Sequence, residues 1–319
     1  IFREGKDIAL TDNEIREMSD DEVKEVLSKL MVVSRCSPNT KLRLVTLAQE
    51  MGRSVAMTGD GVNDSPALKK SDVGFGMNSG SDVAKAASDI ILTDNNFASI
   101  VKSVELGRTF MHNIMMFLEF QLPINISLLV LSIFFPIVMV IPVLTSVQIL
   151  LINIIMDTLN SLSFGGEPPK EEYMREAPIR KGAGLFIRGS KQRIALSTVS
   201  FLVLYAILIF SPIKNLFSTE LEANTARFAL MCFASVVNGL NIRTEHFNLF
   251  DGIGKNNLFY LIGLFIALDT FLLCQFTRGL FNTAALTPVA WLAIVALALC
   301  IIPIDFVRKA VSNKRLARA

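Results

Sequence analysis

Cysteine is scarce in this sequence. Its four residues, Cys36, Cys232, Cys274 and Cys300, stand at no spacing that suits a metal site or a disulfide framework. Three of them fall in apolar stretches, where buried free thiols are expected. Surplus charge is lacking too: 31 basic against 29 acidic residues leave a net +2, too little to point to a nucleic-acid partner. No internal repeat, low-complexity segment or secretory leader is visible. No methionine opens the chain, which starts inside what reads as a soluble domain, so a piece of a longer protein is expected. The most informative absence is local. The 37 residues from Phe120 to Met156 include no charged side chain.

What is present is apolar. Hydrophobic residues make up 51% of the chain, an excess for a soluble protein, and they concentrate after Met111. A single membrane span needs about 20 apolar residues, so Phe120 to Met156 is read as a hairpin of two spans, with Pro136 and Pro142 bracketing its turn. Six spans are expected, at about 110–135, 142–164, 192–212, 225–243, 257–277 and 286–308. The polar stretch after the second carries Lys170, Arg175, Arg180, Lys181, Arg188, Lys191 and Arg193. The tail carries Arg308, Lys309, Lys314, Arg315 and Arg318, whereas the loop after the third span has only Lys214 before Glu220. This asymmetry places the basic segments and both termini in the cytosol.

The first 108 residues are mixed and charged. Their pattern predicts helices at Asp20 to Leu30, Ser37 to about Met51, Ser65 to Lys70, and Ser81 to Ala87 with Ser81 as N-cap. Strands are expected at Met31 to Ser34, Ser54 to Met57, Asp72 to Met77 and Ile90 to Thr93. Such alternation predicts a parallel sheet with helices on both faces. The division is therefore a cytosolic α/β domain over 1–108 and a membrane domain over 109–319.

One stretch in the α/β part carries potential chemistry: Thr58-Gly59-Asp60-Gly61-Val62-Asn63-Asp64. It follows a strand, at the end where ligands bind in open α/β sheets. Gly59 and Gly61 permit a tight turn with close backbone approach, and the carboxylates of Asp60 and Asp64 suit Mg²⁺. The same residues also suit a plain turn. In the membrane part, Asn153 and Asp157 lie four apart on one helical face. Asn125 follows Pro123, a residue that can open backbone carbonyls toward a cavity. These groups are either part of a hard-cation site or interhelical hydrogen-bonding groups.

The string TGDGVND, with the following Pro66 to Lys70, resembles the hinge motif of P-type ion-pumping ATPases. The resemblance continues through Asp72 to Met77, Ser81 to Lys85, Ser88 to Leu92 and Asp94 to Phe97. It enters the membrane at Phe120 to Leu122 and Asn153 to Leu159. In pattern the chain is most similar to calcium pumps, the plasma-membrane type more than the sarcoplasmic-reticulum type. The resemblance implies a partial α/β domain of the haloacid-dehalogenase-like (Rossmann-like) type, followed by an all-α bundle of six transmembrane helices. It makes Lys41 the contact to a phosphoryl group, Asp60 a Mg²⁺ ligand, and Asn63 and Asp64 supporting residues, with Thr58, Gly59 and Gly61 shaping the phosphate site. It makes Asn125, Asn153 and Asp157 ligands of transported Ca²⁺.

Departures from that pattern are informative. The DKTGT motif, whose aspartate such pumps phosphorylate, does not occur in the sequence. The resemblance therefore implies partners in a preceding part of the same pump: an actuator domain, an ATP-binding domain and four further helices. Membrane lipid is the other expected partner, with the plasma membrane as location. Leu128 and Ser235 stand where reticulum-type pumps carry acids, and Met156 stands where they carry a hydroxyl, which argues for one calcium site rather than two. Asp269 matches no role. Two other readings stay open: a pump for another cation (Na⁺, H⁺ or Mn²⁺), and a non-catalytic membrane module.

Overall fold

A computed structural model of the chain describes residues 3, 6–139, 142–177, 184, 186, 189–244, 246–250, 253–277 and 281–316. Arg180, Lys181, Arg188 and Arg318 of the expected basic segments lie outside the described residues, as do the side chains of Met156, Asp157, Lys314 and Arg315. The chain divides into two compact units, residues 1–107 with 171–184 and residues 108–170 with 185–319.

In the first unit, β1 (Ile8–Thr11) leads to α1 (Asp12–Glu17), α2 (Asp20–Val26) and β2 (Leu30–Ser34). Then follow α3 (Pro38–Glu50), β3 (Ala56–Gly59), α4 (Ser65–Lys70), β4 (Val73–Met77), α5 (Asp82–Ala86) and β5 (Ile90–Leu92). Helix starts follow capping chemistry. Thr11 with Glu14, and Ser19 with Glu22, form reciprocal capping boxes, and the hydroxyls of Ser37 and Ser81 accept from the N–H groups of Thr40 and Ala84. Ile15, Val23 and Leu47 form one buried core under β1 and β2, with Leu10, Leu30, Val33 and Leu44 packed against it.

All strand pairing is parallel, but the strands form two sheets, β1–β2 and β3–β4–β5, where the sequence predicted one. β2 and β3 do not pair, so each leaves an edge without ladder partners among the described residues. β1 escaped sequence reading because only four residues, Ile8 to Thr11, precede a charged helix. The strand expected at Ser54 begins two residues later and runs through Gly59, since its pairing with β4 extends from Ala56↔Val73 to Gly59↔Gly76.

The second unit holds helices α6 (Phe97–Met139, assigned to this unit from Arg108 onward), α7 (Ser146–Ile152) and α8 (Thr158–Gly165). The short α9 (Glu171–Arg175) belongs to the first unit. Then come α10 (Ser190–Phe210), α11 (Glu220–Arg243), α12 (Asn257–Phe276), α13 (Pro288–Leu299) and α14 (Ile301–Leu316). Among the described residues six spans are long and apolar enough to cross a membrane, α7–α8 and α13–α14 each counting as one. α6 continues through Pro136 to Met139, since a proline near a helix end forfeits only one backbone bond, and α7 begins after Pro142 at Ser146. The last span is interrupted at Cys300. That cysteine is exposed, unlike the buried Cys232 and Cys274, and so corrects the expectation of a buried thiol.

α11 is the centre of the bundle: 83% of its apolar window is buried within the protein, against 28–39% for the other spans. Its buried polar residues therefore face protein, not lipid, and two of them tie α11 to neighbouring helices. Asn224 accepts from Gln148 Nε2 at 2.7 Å, and Asn241 donates to the Ile301 carbonyl at 3.3 Å.

Two residues expected in solvated basic segments are drawn inward instead, Arg193 to a half-buried position and Lys309 to full burial. Arg193 lies in α10 and pairs at 2.7 Å with Glu119 of α6, the last charge before the uncharged run. Lys309 is fully buried in α14, 3.0 Å from Asp305 one turn earlier. In both cases an acid within reach makes burial of the cation tolerable.

A polar knot joins the ends of three helices to the middle of a fourth. Glu167 and Arg243, each with a side chain only 3% exposed, pair at 2.6 Å. Asn256, which also caps α12, donates to Glu167 Oε1 at 2.7 Å and to the Ser163 carbonyl at 2.9 Å. Asn113 of α6 donates to the Glu167 carbonyl at 3.1 Å. Arg243 reaches the Tyr260 hydroxyl and lies over the Phe259 and Tyr260 rings. Replacing Glu167 by alanine strands a buried guanidinium, so a loss of about 3–5 kcal/mol is expected. Unfolding of the purified chain in mixed micelles checks it; a change under 1 kcal/mol would show the pair to be dispensable.

Candidate functional site

The loop of the first unit leaves β3 at Gly59. It passes Asp60 and Gly61, turns through a short 3₁₀ segment at Val62–Asp64 and enters α4. Gly59 is required by close approach: a Cβ there would lie 2.4 Å from Asp64 Cβ, well inside van der Waals contact. The backbone of Asp60 is held by the Ser81 N–H, which donates to its carbonyl at 2.8 Å. The Asp60 side chain is exposed and makes no bond to a described residue, and Asn63 is exposed beside it. Thr58 is half-buried.

Lys41 and Asp64 are brought together. Lys41 sits in the first turn of α3, and its Nζ donates to Asp64 Oδ1 at 2.5 Å. The Gly61 N–H donates to the other carboxylate oxygen at 3.3 Å. Burial pushes the Asp64 carboxyl up, but the Lys41 ammonium and the Gly61 N–H outweigh it, and its pKa falls below the usual carboxylate value. Asp12, not singled out in the sequence, positions this helix start: its Oδ1 accepts from the Ser37 N–H at 2.9 Å, next to the Pro38 that opens α3. Its aspartate-before-helix pattern could be read as a cap for α1, but its tie to residue 37 depends on β1 pairing with β2.

These residues fit a Mg²⁺ ion shared with a phosphate. Asp60 offers an exposed carboxylate free of other bonds among the described residues, while Asp64 is committed to Lys41 and Gly61. No three His, Cys, Asp or Glu side chains among the described residues converge to hold an ion on their own. One or two carboxylates completed by phosphate oxygens is the usual Mg²⁺ arrangement.

In the second unit the helix carrying Asn153 and Asp157 is not regular. Residues Asn153–Asp157 form a π-helical turn between α7 and α8, a widened turn that recurs at functional sites. Asn153 is half-buried, and its buried Oδ1 accepts no hydrogen bond among the described residues. Asn125 is half-buried on α6, two residues past Pro123, and no hydrogen bond links it to Asn153. Leu128 is buried. The Ser235 hydroxyl is spent on its own helix, donating to the Met231 carbonyl at 2.7 Å. Asp269 is half-buried in α12, with no hydrogen bond or ion pair to a described residue.

A parallel α/β unit with a lysine–aspartate pair at strand ends, and a six-span bundle with a π-turn, define a membrane protein with a haloacid-dehalogenase-like head. The chain matches the haloacid dehalogenase-like hydrolase family over residues 43–104 and the family of cation transporting ATPase C-termini over 141–311, and it belongs to the latter. It is 35% identical over 318 residues to calcium-transporting ATPase 2 of Schizosaccharomyces pombe, covering 98% of this chain and 25% of that protein. It is 35% identical over 319 residues to probable calcium-transporting ATPase 6, plasma membrane-type, of Oryza sativa subsp. japonica, covering 94% of this chain and 31% of that protein. The corresponding figures for calcium-transporting ATPase 9, plasma membrane-type, of Arabidopsis thaliana are 34% over 305 residues, 92% and 28%. The chain thus spans about a quarter to a third of the length of these relatives.

Because its pKa is depressed, Asp64 contributes stability that is present above the unfolded value of 3.8 and lost as pH falls through the lower folded value. Acid unfolding of the chain followed by far-UV circular dichroism should start at a lower pH in wild type than in Asp64→Asn, which lacks that stability throughout; coincident curves would deny the pair a stabilising role. Gly59→Ala should displace Asp64 from Lys41 and destabilise the first unit by about 1–3 kcal/mol, read from the same curves at neutral pH; an unchanged midpoint would show that the loop yields freely.

Proposed function

We propose that the chain is the C-terminal part of an ATP-driven P-type pump that exports Ca²⁺ from the cytosol across the plasma membrane through an aspartyl-phosphate intermediate. The observation that carries the ion reading is the π-turn at Asn153–Asp157 with its unpartnered Asn153 oxygen. An amide oxygen buried in a membrane without a donor is costly unless it serves a cation. Asn125, Asn153 and Asp157 would supply side-chain oxygens to the ion, with backbone carbonyls near Pro123 and a carboxylate from the preceding part of the pump completing the shell. Similarity to calcium-transporting ATPases supports Ca²⁺ over Na⁺, H⁺ or Mn²⁺.

In the head, Lys41 would place its ammonium beside a transferring phosphoryl group, and Asp64 would hold that lysine in place until phosphate competes for it. Asp60 would hold Mg²⁺, which when bound offsets phosphate charge. Thr58, Gly59, Gly61 and Asn63 would shape the phosphate loop. The phosphorylated aspartate, the nucleotide-binding and actuator domains and four helices would come from the preceding part. The unpaired edges of β2 and β3 suit a strand from it. Both termini and the head would face the cytosol, and the chain alone would not turn over ATP.

Asp157→Asn in the full-length pump keeps shape but removes the carboxylate charge. Ca²⁺ uptake should fall below about a hundredth of wild type, since a divalent ion loses its strongest attraction in a low-dielectric site. Phosphorylation from inorganic phosphate should persist. With Leu128 and Ser235 in place of acids, one Ca²⁺ per phosphoenzyme is expected. Normal uptake by the variant, or two ions per phosphoenzyme, would overturn this site.

A further inference from the structure

At the opposite end of the bundle from the polar knot, a pocket of about 370 Å³ opens where α10 ends and α11 begins. Its lining includes the apolar Leu208, Ile209, Phe217 and Ala223. Its rim is charged. Lys214, exposed on the 3₁₀ segment Pro212–Leu216, makes no ion pair with a described residue. Arg227 lines the pocket from the second turn of α11 and is 95% buried, given its 5% exposure. Glu220 occupies only one corner of its guanidinium, at Nη2, and the plane also stacks over the Phe135 ring. Arg227 Nε is buried without a hydrogen-bond acceptor among the described residues.

Two cations against one carboxylate leave the pocket one positive charge in excess. A buried guanidinium with unused donors is costly unless an anion completes it. The location narrows the anion. Phe210 and Glu220 are the last and first residues of two spans, so the pocket sits where the chain leaves the hydrocarbon, at the depth of lipid headgroups. A soluble anion would gain nothing from the apolar lining, whereas an acyl-glycerol backbone would. We infer that this pocket binds the phosphodiester of a membrane phospholipid, its phosphate against Arg227 and Lys214 and its glycerol and first methylenes on Leu208, Ile209 and Phe217. A singly charged phosphodiester matches the single excess charge, and a planar guanidinium suits its paired oxygens. Nothing in the ion-transport reading enters this argument.

Native mass spectrometry of the full chain tests it, after release from nanodiscs of phosphatidylcholine and phosphatidylglycerol. Wild type should retain one phospholipid through stepwise activation. Lys214→Glu, at an exposed position, and Ala223→Leu, which fills the pocket, should each lower the retained fraction about tenfold. Arg227→Gln should do the same, and its circular dichroism reports whether it has folded. A second arm uses lipid-depleted chain in a non-ionic sugar detergent. Adding dioleoyl phosphatidylglycerol should raise the unfolding temperature, less so in Lys214→Glu and Ala223→Leu, while inorganic phosphate up to 10 mM should not. Equal retention by wild type and both surface variants would overturn the site, leaving only a solvated rim. Stabilisation by inorganic phosphate without lipid retention would also overturn it, by making the ligand a free anion.

Discussion

A carboxylate and a guanidinium taken out of water cost several kcal/mol per ion, and their attraction repays this only when the remaining donors and acceptors are also met. Glu167 and Arg243 satisfy that condition through Asn256, Tyr260 and the Phe259 ring. The consequence is architectural. Helix–helix association in lipid has little hydrophobic drive, so the places where helices must converge are fixed by polar closure and tight packing. The knot fixes the ends of α8, α11 and α12 to one another and to the middle of α6. Phe164 sits beside it, in aromatic contact with Phe120 and Phe259 at 5.6 and 5.4 Å.

The same logic explains the polarity of α11. A helix facing lipid tolerates few polar side chains, whereas one surrounded by protein can use them as ties. Gln148–Asn224 binds α7 to one end of α11, and Asn241 with the Ile301 carbonyl binds the other to α14. Asn153, like Asn113 and Asn241, keeps a buried amide oxygen that meets no donor among the described residues, and it does so within the π-turn.

Much of this was legible in the sequence. Capping residues and turn glycines marked α3, α4 and α5 closely, and the uncharged run from Phe120 to Met156 marked a hairpin. The spacing of Thr58 to Asp64 marked the loop, and Lys41 and Asp64 do meet. What stayed hidden depends on distance along the chain. Asp12 reaches Ser37 across 25 residues, and Glu167 reaches Arg243 across 76. No local pattern encodes such pairs. The same blindness misjudged Arg193, whose basic neighbours suggested solvent while Glu119, 74 residues earlier, pairs with it. The π-turn was equally invisible, since periodicity cannot register a turn one residue wider.

The division of the strands into two sheets bears on the life of the chain before assembly. β2 carries Met31 and Val32, each 47% exposed, along a strand that pairs only with β1 among the described residues. An edge of this kind, apolar and with free ladder groups, recruits other strands indiscriminately.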